Sequence, residues 1–235
     1  MSKNWREGLE RWPRALPTFD FDPKTTALLI VDMQNFCSRP TGSLGQVLKE
    51  KYPEMYSYFS QRAELILKNN IRLLHFFREN NMRVVFTTIG PALKDGSDYF
   101  SPRREADRIQ QERTGIITNH PIGSPEHAIV EELTPNEKEL VINKTSMGAF
   151  NTSNIDITLR KMKIETLVVT GVCSNACLYT TALDAADRYY KVVLAEDACG
   201  GFDEDSHIAV MRNFARLCGM VWSTDEVIRY LSEKM

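Results

Sequence analysis

The 235-residue sequence predicts an α/β fold in which a parallel sheet lies between two layers of helices. Short apolar runs of strand length alternate with longer segments whose apolar residues recur at helical spacing. The first run, residues 27–31, is apolar throughout, as expected of a strand covered on both faces. Since 43% of the residues are hydrophobic, the chain is long enough for one sizeable core. We expect an N-terminal arm over residues 1–24 and a single domain over residues 25–235.

The elements of the first half follow from local patterns. Residues 60–80 carry leucine, isoleucine and phenylalanine at near-helical spacing and end in Glu-Asn-Asn, which predicts an amphipathic helix with a stop. Residues 83–89 form an apolar run ended by Gly-Pro, which predicts the second strand. Residues 91–137 are polar, with glycine and proline punctuation, and predict a long irregular connection. Connections of that length are more often functional than idle.

The second half continues the alternation of strands and helices. Because each strand is followed by a helical segment, the strands are expected to run parallel with helices on both faces. The remaining strands are predicted at residues 140–143, 166–170, 192–195 and 220–222, and the helices at residues 155–162, 175–190, 203–219 and 225–234.

Composition and charge exclude several classes of function. With 29 basic and 31 acidic residues, the charge favours neither nucleic acid nor a membrane surface as partner. No apolar run approaches the roughly 20 residues that span a bilayer, and the charged N-terminus does not resemble a secretory signal. The five cysteines lack a dense spacing pattern, which predicts free thiols in a reducing cytoplasm. No glycine-rich nucleotide motif is present, so no cofactor is expected.

Three chemically distinctive residues follow predicted strands. Asp32 follows the first strand, Lys144 follows the third, and a loop leads from the fourth strand to Cys177. Ligands of open parallel sheets bind beyond the carboxyl ends of the strands, so all three should lie at one edge. Cys177 falls in the first turn of a predicted helix, where free N–H groups and the helix dipole favour a thiolate.

Together these groups suit nucleophilic catalysis. A cysteine nucleophile needs a base, which Asp32 provides, and a cation, which Lys144 provides while keeping Asp32 oriented. The backbone N–H groups of Cys173 and Cys177 are candidates for an oxyanion hole. Taken singly, each residue also has a structural interpretation: an aspartate that forms a turn, a solvated lysine and a small core cysteine.

Other polar residues have simpler interpretations. Arg103 and Arg104 can bind an acidic substrate group, although a solvated surface is the favoured interpretation. His207, which follows Asp-Glu-Asp, is expected on a helix surface. Cys173 and Cys177 do not have the spacing of a redox pair, so the side chain of Cys173 is expected to be structural.

Three blocks of sequence resemble the isochorismatase-like cysteine hydrolases. They are Leu-Leu-Ile-Val-Asp-Met-Gln-Asn at 28–35, Asn-Lys-Thr-Ser-Met-Gly-Ala-Phe-Asn-Thr at 143–152, and the Gly-Val-Cys-Ser-Asn-Ala-Cys run within 167–185. The resemblance implies an Asp32–Lys144–Cys177 triad and a cis peptide bond between Val172 and Cys173. It also implies a three-layer αβα, Rossmann-like fold with a six-stranded parallel sheet, assembled as a homodimer or homotetramer.

Departures from the family pattern bear on the substrate. Isochorismatases proper typically lack the nucleophilic cysteine, so Cys177 favours covalent amide hydrolysis. Nicotinamidases usually carry a metal-binding Asp-x-His cluster after the second strand; this chain has no histidine there, and His120 and His127 do not reproduce the cluster. We therefore expect no metal.

The substrate class follows from the same resemblance. Residues 150–152, with Leu-Thr-Pro at 133–135, resemble the members that cleave ureido and carbamoyl compounds. The expected function is hydrolysis of a small amide, ureido or N-carbamoyl compound through a thioester. Alternatives are a vinyl-ether hydrolase of the isochorismatase type, a nicotinamidase-like amidase and a catalytically silent scaffold. Candidate substrate-binding residues are Phe36, Phe150 and Tyr179.

Overall fold

The structure, a computed structural model, describes residues 4–235, so residues 1–3 of the predicted arm lie outside the described residues. Six strands form one sheet in the order β3-β2-β1-β4-β5-β6, and every pair of neighbours is parallel. The prediction of a six-stranded parallel sheet is therefore confirmed. The strands are β1 (Thr26–Val31), β2 (Arg83–Ile89), β3 (Leu140–Lys144), β4 (Thr166–Val172), β5 (Lys191–Gly200) and β6 (Met220–Trp222).

Helices cover both faces of the sheet because β1 is apolar on both sides. Leu28 and Ile30 belong to one buried cluster, and Leu29 and Val31 belong to the other. The first cluster includes the apolar faces of α3 and α8, and the second includes those of α5, α6 and α7. The helices are α1 (Asn35–Ser38), α2 (Ser43–Lys51), α3 (Pro53–Glu79), α4 (Ser101–Thr114), α5 (Ile155–Lys161), α6 (Cys177–Asp187), α7 (Glu204–Leu217) and α8 (Thr224–Lys234).

The structure corrects three predicted elements. Helix α3 begins at Pro53, seven residues before the predicted start at residue 60. The connection at 91–137 is not wholly irregular, because it contains the 14-residue helix α4. Strand β5 continues to Gly200, beyond the predicted end at residue 195, because its pairing with β4 shifts register between Val169 and Gly171 and then resumes.

The described part of the N-terminal arm packs on its own domain. Trp5 is buried beside α7, where Arg212 Nε donates a 3.2 Å hydrogen bond to its carbonyl oxygen. Further along the arm, Phe21 stacks on Tyr230 of α8 at a centroid distance of 4.4 Å.

The sheet order creates a switch point between β1 and β4, from which the chain proceeds outward in both directions. Ligand sites of open α/β sheets lie beyond the carboxyl ends of the strands at such a point. The loops that follow β1 and β4 begin at Asp32 and Cys173, so the topology brings the predicted site residues to this location. None of the helices between residues 4 and 235 combines the length and hydropathy needed to cross a membrane.

Candidate active site

Asp32 leaves the end of β1 with its side chain directed inward. Its backbone has a φ of +50°, a left-handed conformation that aspartate tolerates better than most residues. The Asp32 N–H donates to the Thr87 carbonyl oxygen at 3.1 Å, and the Thr87 hydroxyl donates to Asp32 Oδ1 at 2.8 Å. These two hydrogen bonds to β2 hold the carboxylate in place, and Asp32 is only 1% exposed.

Lys144 reaches the same carboxylate from the end of β3. Its Nζ lies 2.7 Å from Asp32 Oδ2 and donates a 3.2 Å hydrogen bond to the Ser146 carbonyl oxygen. Burial by itself lowers the pKa of Lys144, but the negative charge of Asp32 and the nearby Cys177 outweigh it, so the pKa is raised. Lys144 is therefore a buried, charged ammonium.

Cys177 is the first residue of α6 and is partly exposed to a cavity. Its thiol is close enough to Asp32 and Lys144 for both charges to act on its pKa, and Cys177 and Asp32 line the same cavity. The structure thus brings together the three residues predicted from the ends of β1, β3 and β4.

The protonation state of Cys177 differs from the sequence-based expectation. Burial raises the pKa of its thiol to about 11, while Lys144 lowers it and Asp32 raises it. The prediction that Lys144 and the helix start favour a thiolate considered only the local groups and left out the burial of the sulfur. In the resting site the sulfur is a thiol beside a carboxylate that can accept its proton.

The loop before α6 presents free donors. Among residues 4–235, neither the Cys173 nor the Cys177 backbone N–H donates a hydrogen bond, whereas the Ala176 and Leu178 N–H groups both donate to the Cys173 carbonyl. The peptide bond between Val172 and Cys173 is cis, as the family resemblance implied. Two residues with unpaired N–H groups, one of them Cys177 itself, therefore line the same cavity.

A cavity of about 210 Å³ opens above these groups. Its walls are mainly aromatic and aliphatic, and they come mainly from the connections that follow β1, β2, β3, β4 and β5, including the start of α4. The lining comprises Asp32, Phe36, Cys37, Leu44, Ile89, Tyr99, Phe100, Arg103, Met147, Val172, Cys173, Asn175, Ala176, Cys177 and Phe202.

The candidate substrate-binding residues are placed differently from one another. Phe36 lines the cavity. Phe150 lies outside the lining and packs on Tyr190 at a ring-centroid distance of 5.9 Å. Tyr179 also lies outside it, because two residues along α6 from Cys177 is more than half a turn around the helix. Of these three residues, only Phe36 is therefore placed to contact a substrate in this cavity.

Arg103 does not lie on a solvated surface, which was the favoured interpretation of the sequence. Its side chain is 30% exposed and lines the cavity. Two local signals were available for α4: a proline at its second residue and a left-handed glycine, Gly115, directly after its end. Neither signal indicates that Arg103 faces Cys177, which depends on how α4 docks.

His207 is buried, at 1% exposure, and not on a helix surface as predicted. Its Nδ1 lies 3.1 Å from Ser174 Oγ in the loop before α6, and its Nε2 lies 2.9 Å from Glu196 Oε1. Burial lowers the pKa of His207, which favours the neutral ring. The network holds Ser174, whose N–H donates to the Gly200 carbonyl at 2.7 Å, next to the unpaired Cys173 N–H.

The histidines considered as metal ligands have other partners. His120 Nε2 lies 2.8 Å from Ser43 Oγ, and His127 Nε2 lies 2.9 Å from Asn143 Oδ1. Within the described part of the chain, no group of three or more His, Cys, Asp or Glu side chains is arranged to hold a metal ion.

Comparison with known proteins places this architecture in a family. The family model for the isochorismatase domain matches residues 26–226, which is most of the chain. Ureidoacrylate amidohydrolase RutB of Methylobacterium radiotolerans is 27% identical over 207 residues, covering 85% of this chain and 77% of that protein.

Two further relatives extend the comparison. Enterobactin synthase component B of Escherichia coli K12 is 26% identical over 209 residues, covering 88% of this chain but only 64% of that protein. The crystal structure of a cysteine hydrolase from Pseudomonas syringae superposes with a TM-score of 0.80 at 24% identity, covering 95% of this chain and all of that one. On the extent of the domain match, the chain belongs to the isochorismatase family.

Proposed function

We propose that this protein is an amidohydrolase that cleaves a small amide, ureido or N-carbamoyl compound through an acyl-enzyme intermediate on Cys177. It is a hydrolase of non-peptide C–N bonds. The observation that carries the proposal is that the Cys177 thiol lines one small cavity together with Asp32, whose buried carboxylate is paired with Lys144 at 2.7 Å. The similarity to a ureidoacrylate amidohydrolase supports the choice of bond.

The reaction begins with the neutral thiol. As Cys177 Sγ attacks the carbonyl carbon, its proton passes to Asp32, so no free thiolate has to exist beforehand. The carbonyl oxygen becomes an oxyanion and accepts hydrogen bonds from the Cys173 and Cys177 N–H groups. Lys144 keeps Asp32 oriented and faces the sulfur as it loses its proton.

The second half returns the enzyme to its starting state. The C–N bond breaks as Asp32 gives its proton to the departing nitrogen, which leaves as ammonia or an amine. The acyl group stays on sulfur as a thioester, or as a thiocarbamate if the substrate is a ureide. A water then loses a proton to Asp32 and attacks the acyl carbon, the C–S bond breaks, and Asp32 returns the proton to Cys177.

The test combines turnover with trapping. A panel of small amides, ureides and carbamoyl amino acids is scored by ammonia release, and the enzyme is examined by intact mass during turnover. We expect a covalent adduct on the wild type, and no adduct and no turnover with Cys177→Ala, which should keep its fold by circular dichroism. Cys218→Ser, on a thiol outside the cavity lining, is the matched control and should retain turnover.

The outcomes separate the alternatives. Full activity of Cys177→Ala would refute the proposal. Hydrolysis of a vinyl ether without any adduct would favour an isochorismatase-type reaction, and no turnover of any substrate would favour a silent scaffold. A cytoplasmic location and assembly as a homodimer or homotetramer remain proposals; the free state of all five cysteines supports a reducing compartment.

A further inference from the structure

We propose that Arg103 selects substrates that carry a carboxylate at the end opposite the scissile C–N bond. The inference rests on the proposed function, because it takes Cys177, which lines the same cavity, as the reacting group. It defines the substrate class more narrowly than an amide or ureide in general.

The start of α4 fixes Arg103 over the site. The Phe100 N–H, just before the helix, donates a 3.1 Å hydrogen bond to the carbonyl oxygen of Thr145, the residue that follows Lys144. Tyr99 is buried and lines the cavity beside Phe100. Arg103 is the third residue of α4 and lines that cavity too, so its backbone is tethered to the strand that supplies Lys144.

The side chain of Arg103 is oriented and still has donors to spare. Its Nε donates a 3.0 Å hydrogen bond to the Asp107 carboxylate, which is 8% exposed and also accepts a 2.8 Å hydrogen bond from Thr118 Oγ1. A guanidinium group has five N–H donors in a fixed fork. Among residues 4–235, the terminal Nη1 and Nη2 groups of Arg103 donate no hydrogen bond, so one edge of the fork is left for a ligand.

A carboxylate is the ligand that this edge fits. Two coplanar N–H donors match two carboxylate oxygens, and the hydrogen bonds are charge-assisted. The other charged residue of the lining, Asp32, is paired with Lys144 at 2.7 Å, which limits its repulsion of an anion. By contrast, Arg108 of the same helix is 54% exposed and is paired with Glu105 and Glu112.

The walls and size of the cavity limit what joins the two ends. Apart from Arg103 and Asp32 the lining is largely apolar, including Phe36, Ile89 and Phe202. Its volume of about 210 Å³ is below the roughly 300–1,000 Å³ of sites for drug-sized ligands. The expected substrate is therefore a ureido or amide acid with a short apolar spacer.

The first experiment compares acids with neutral partners of the same length. Ureido acids with one to three methylene groups before the carboxylate are each paired with the corresponding ureido alcohol, and ammonia release gives kcat/KM. We expect the wild type to prefer the acids at least tenfold. Arg103→Gln should lower kcat/KM for the acids by about ten- to a hundredfold, as expected for lost charge-assisted hydrogen bonds, and leave the alcohols within about twofold.

Control variants separate selection from folding. Arg104→Gln, at the exposed neighbouring residue, should keep the preference of the wild type. Arg103→Lys should retain part of it. Because Arg103→Gln leaves the buried Asp107 without its partner, the double variant Arg103→Gln, Asp107→Asn serves if the single variant fails to fold. Equal losses on acids and alcohols, or a wild type without preference, would overturn the proposal.

A binding measurement makes this inference testable without turnover. Succinate has no C–N bond to cleave, so its binding, read by titration calorimetry, reports on the carboxylate site alone. The wild type and Arg104→Gln should bind succinate, and Arg103→Gln should bind it at least tenfold more weakly. Binding with no turnover of any amide or ureide would refute the proposed function but not the Arg103 site, and equal binding by all three proteins would refute the site alone.

Discussion

Lys144 Nζ lies 2.7 Å from Asp32 Oδ2, and the two side chains are 0% and 2% exposed. An ion pair so fully removed from water gains its attraction against a large cost of desolvation. When one partner is removed, the other charge stays buried and its desolvation cost is no longer compensated. The pair therefore makes the stability of the fold depend on two residues of the candidate active site.

The first prediction concerns this stability. We expect Lys144→Met to lower the free energy of unfolding by about 3–5 kcal/mol, because Asp32 stays buried without a countercharge. The double variant Asp32→Asn, Lys144→Met leaves no buried charge and should recover much of the loss while remaining inactive. Urea denaturation followed by circular dichroism measures both. A single variant as stable as the wild type would contradict the prediction.

The second prediction concerns the reactivity of Cys177. Its thiol pKa is raised to about 11 by burial, so alkylation by iodoacetamide should increase about tenfold for each pH unit from 7 towards that value. Because Asp32 also raises this pKa, Asp32→Asn should be alkylated faster than the wild type at pH 8 although it has lost turnover. Peptide mapping gives the rate at Cys177 specifically. An alkylation midpoint near pH 7 would contradict the assignment of a resting thiol.

The third prediction concerns acid stability. Burial raises the pKa of Glu196, but the hydrogen bond with His207 and the charge of Arg62 overcome it and hold the pKa at about 2, below the ordinary 4.5. A lowered carboxyl pKa contributes stability that is present above pH 4.5 and lost as the pH falls towards 2. The full shift corresponds to at most about 3 kcal/mol.

The matched variant for this prediction is Glu196→Gln. Its free energy of unfolding should depend less steeply on pH between 4.5 and 2 than that of the wild type, as measured by urea denaturation at several pH values. Identical slopes for the two proteins would show that Glu196 is not the group that titrates.

The fourth prediction compares two glycines with positive φ. Gly171 in β4 has a φ of +109°, and an added Cβ would lie 2.0 Å from the Val31 carbonyl oxygen. Gly115 after α4 has a φ of +73° and nothing within 4 Å of an added Cβ. Gly115→Ala should cost about 1–2 kcal/mol of backbone strain. Gly171→Ala should cost well over 4 kcal/mol because β1 and β4 must separate.

The yield of folded protein and urea denaturation measure the two losses. A similar cost at both glycines would mean that the close approach of β1 and β4 is readily relieved. Retention of activity by Gly115→Ala, with reduced activity of any folded Gly171→Ala, would tie the defect to the sheet edge that carries the site.

The sheet and the ends of its strands could be predicted from sequence because each depends on local patterns. Short apolar runs predicted the positions of all six strands. Asp32, Lys144 and the loop before Cys177 were then found by looking at the residues where those runs end. The residue bounds of β2 and β6 were predicted correctly, since Gly90 ends the first and a short apolar run defines the second.

The surroundings of the site could not be predicted in the same way. Helix α4 buries only Asp107 and has no apolar stripe, so periodicity did not indicate it. The raised pKa of Cys177 and the burial of His207 come from how distant elements pack. Arg103 combines both difficulties, because it lies on an unpredicted helix and acquires its place only when that helix docks.

The hydrogen bond between the Phe100 N–H and the Thr145 carbonyl has an evolutionary consequence. It joins Phe100 and the start of α4, which line the cavity, to the end of the strand that carries Lys144. This part of the cavity wall belongs to the connection between β2 and β3. Asp32 and Cys177 belong to other connections, after β1 and β4. Changes in residues 91–137 can therefore alter which molecules are admitted while the reacting groups keep their geometry. Chains that are only about a quarter identical to this one, as two of its relatives are, leave room for such changes in this connection.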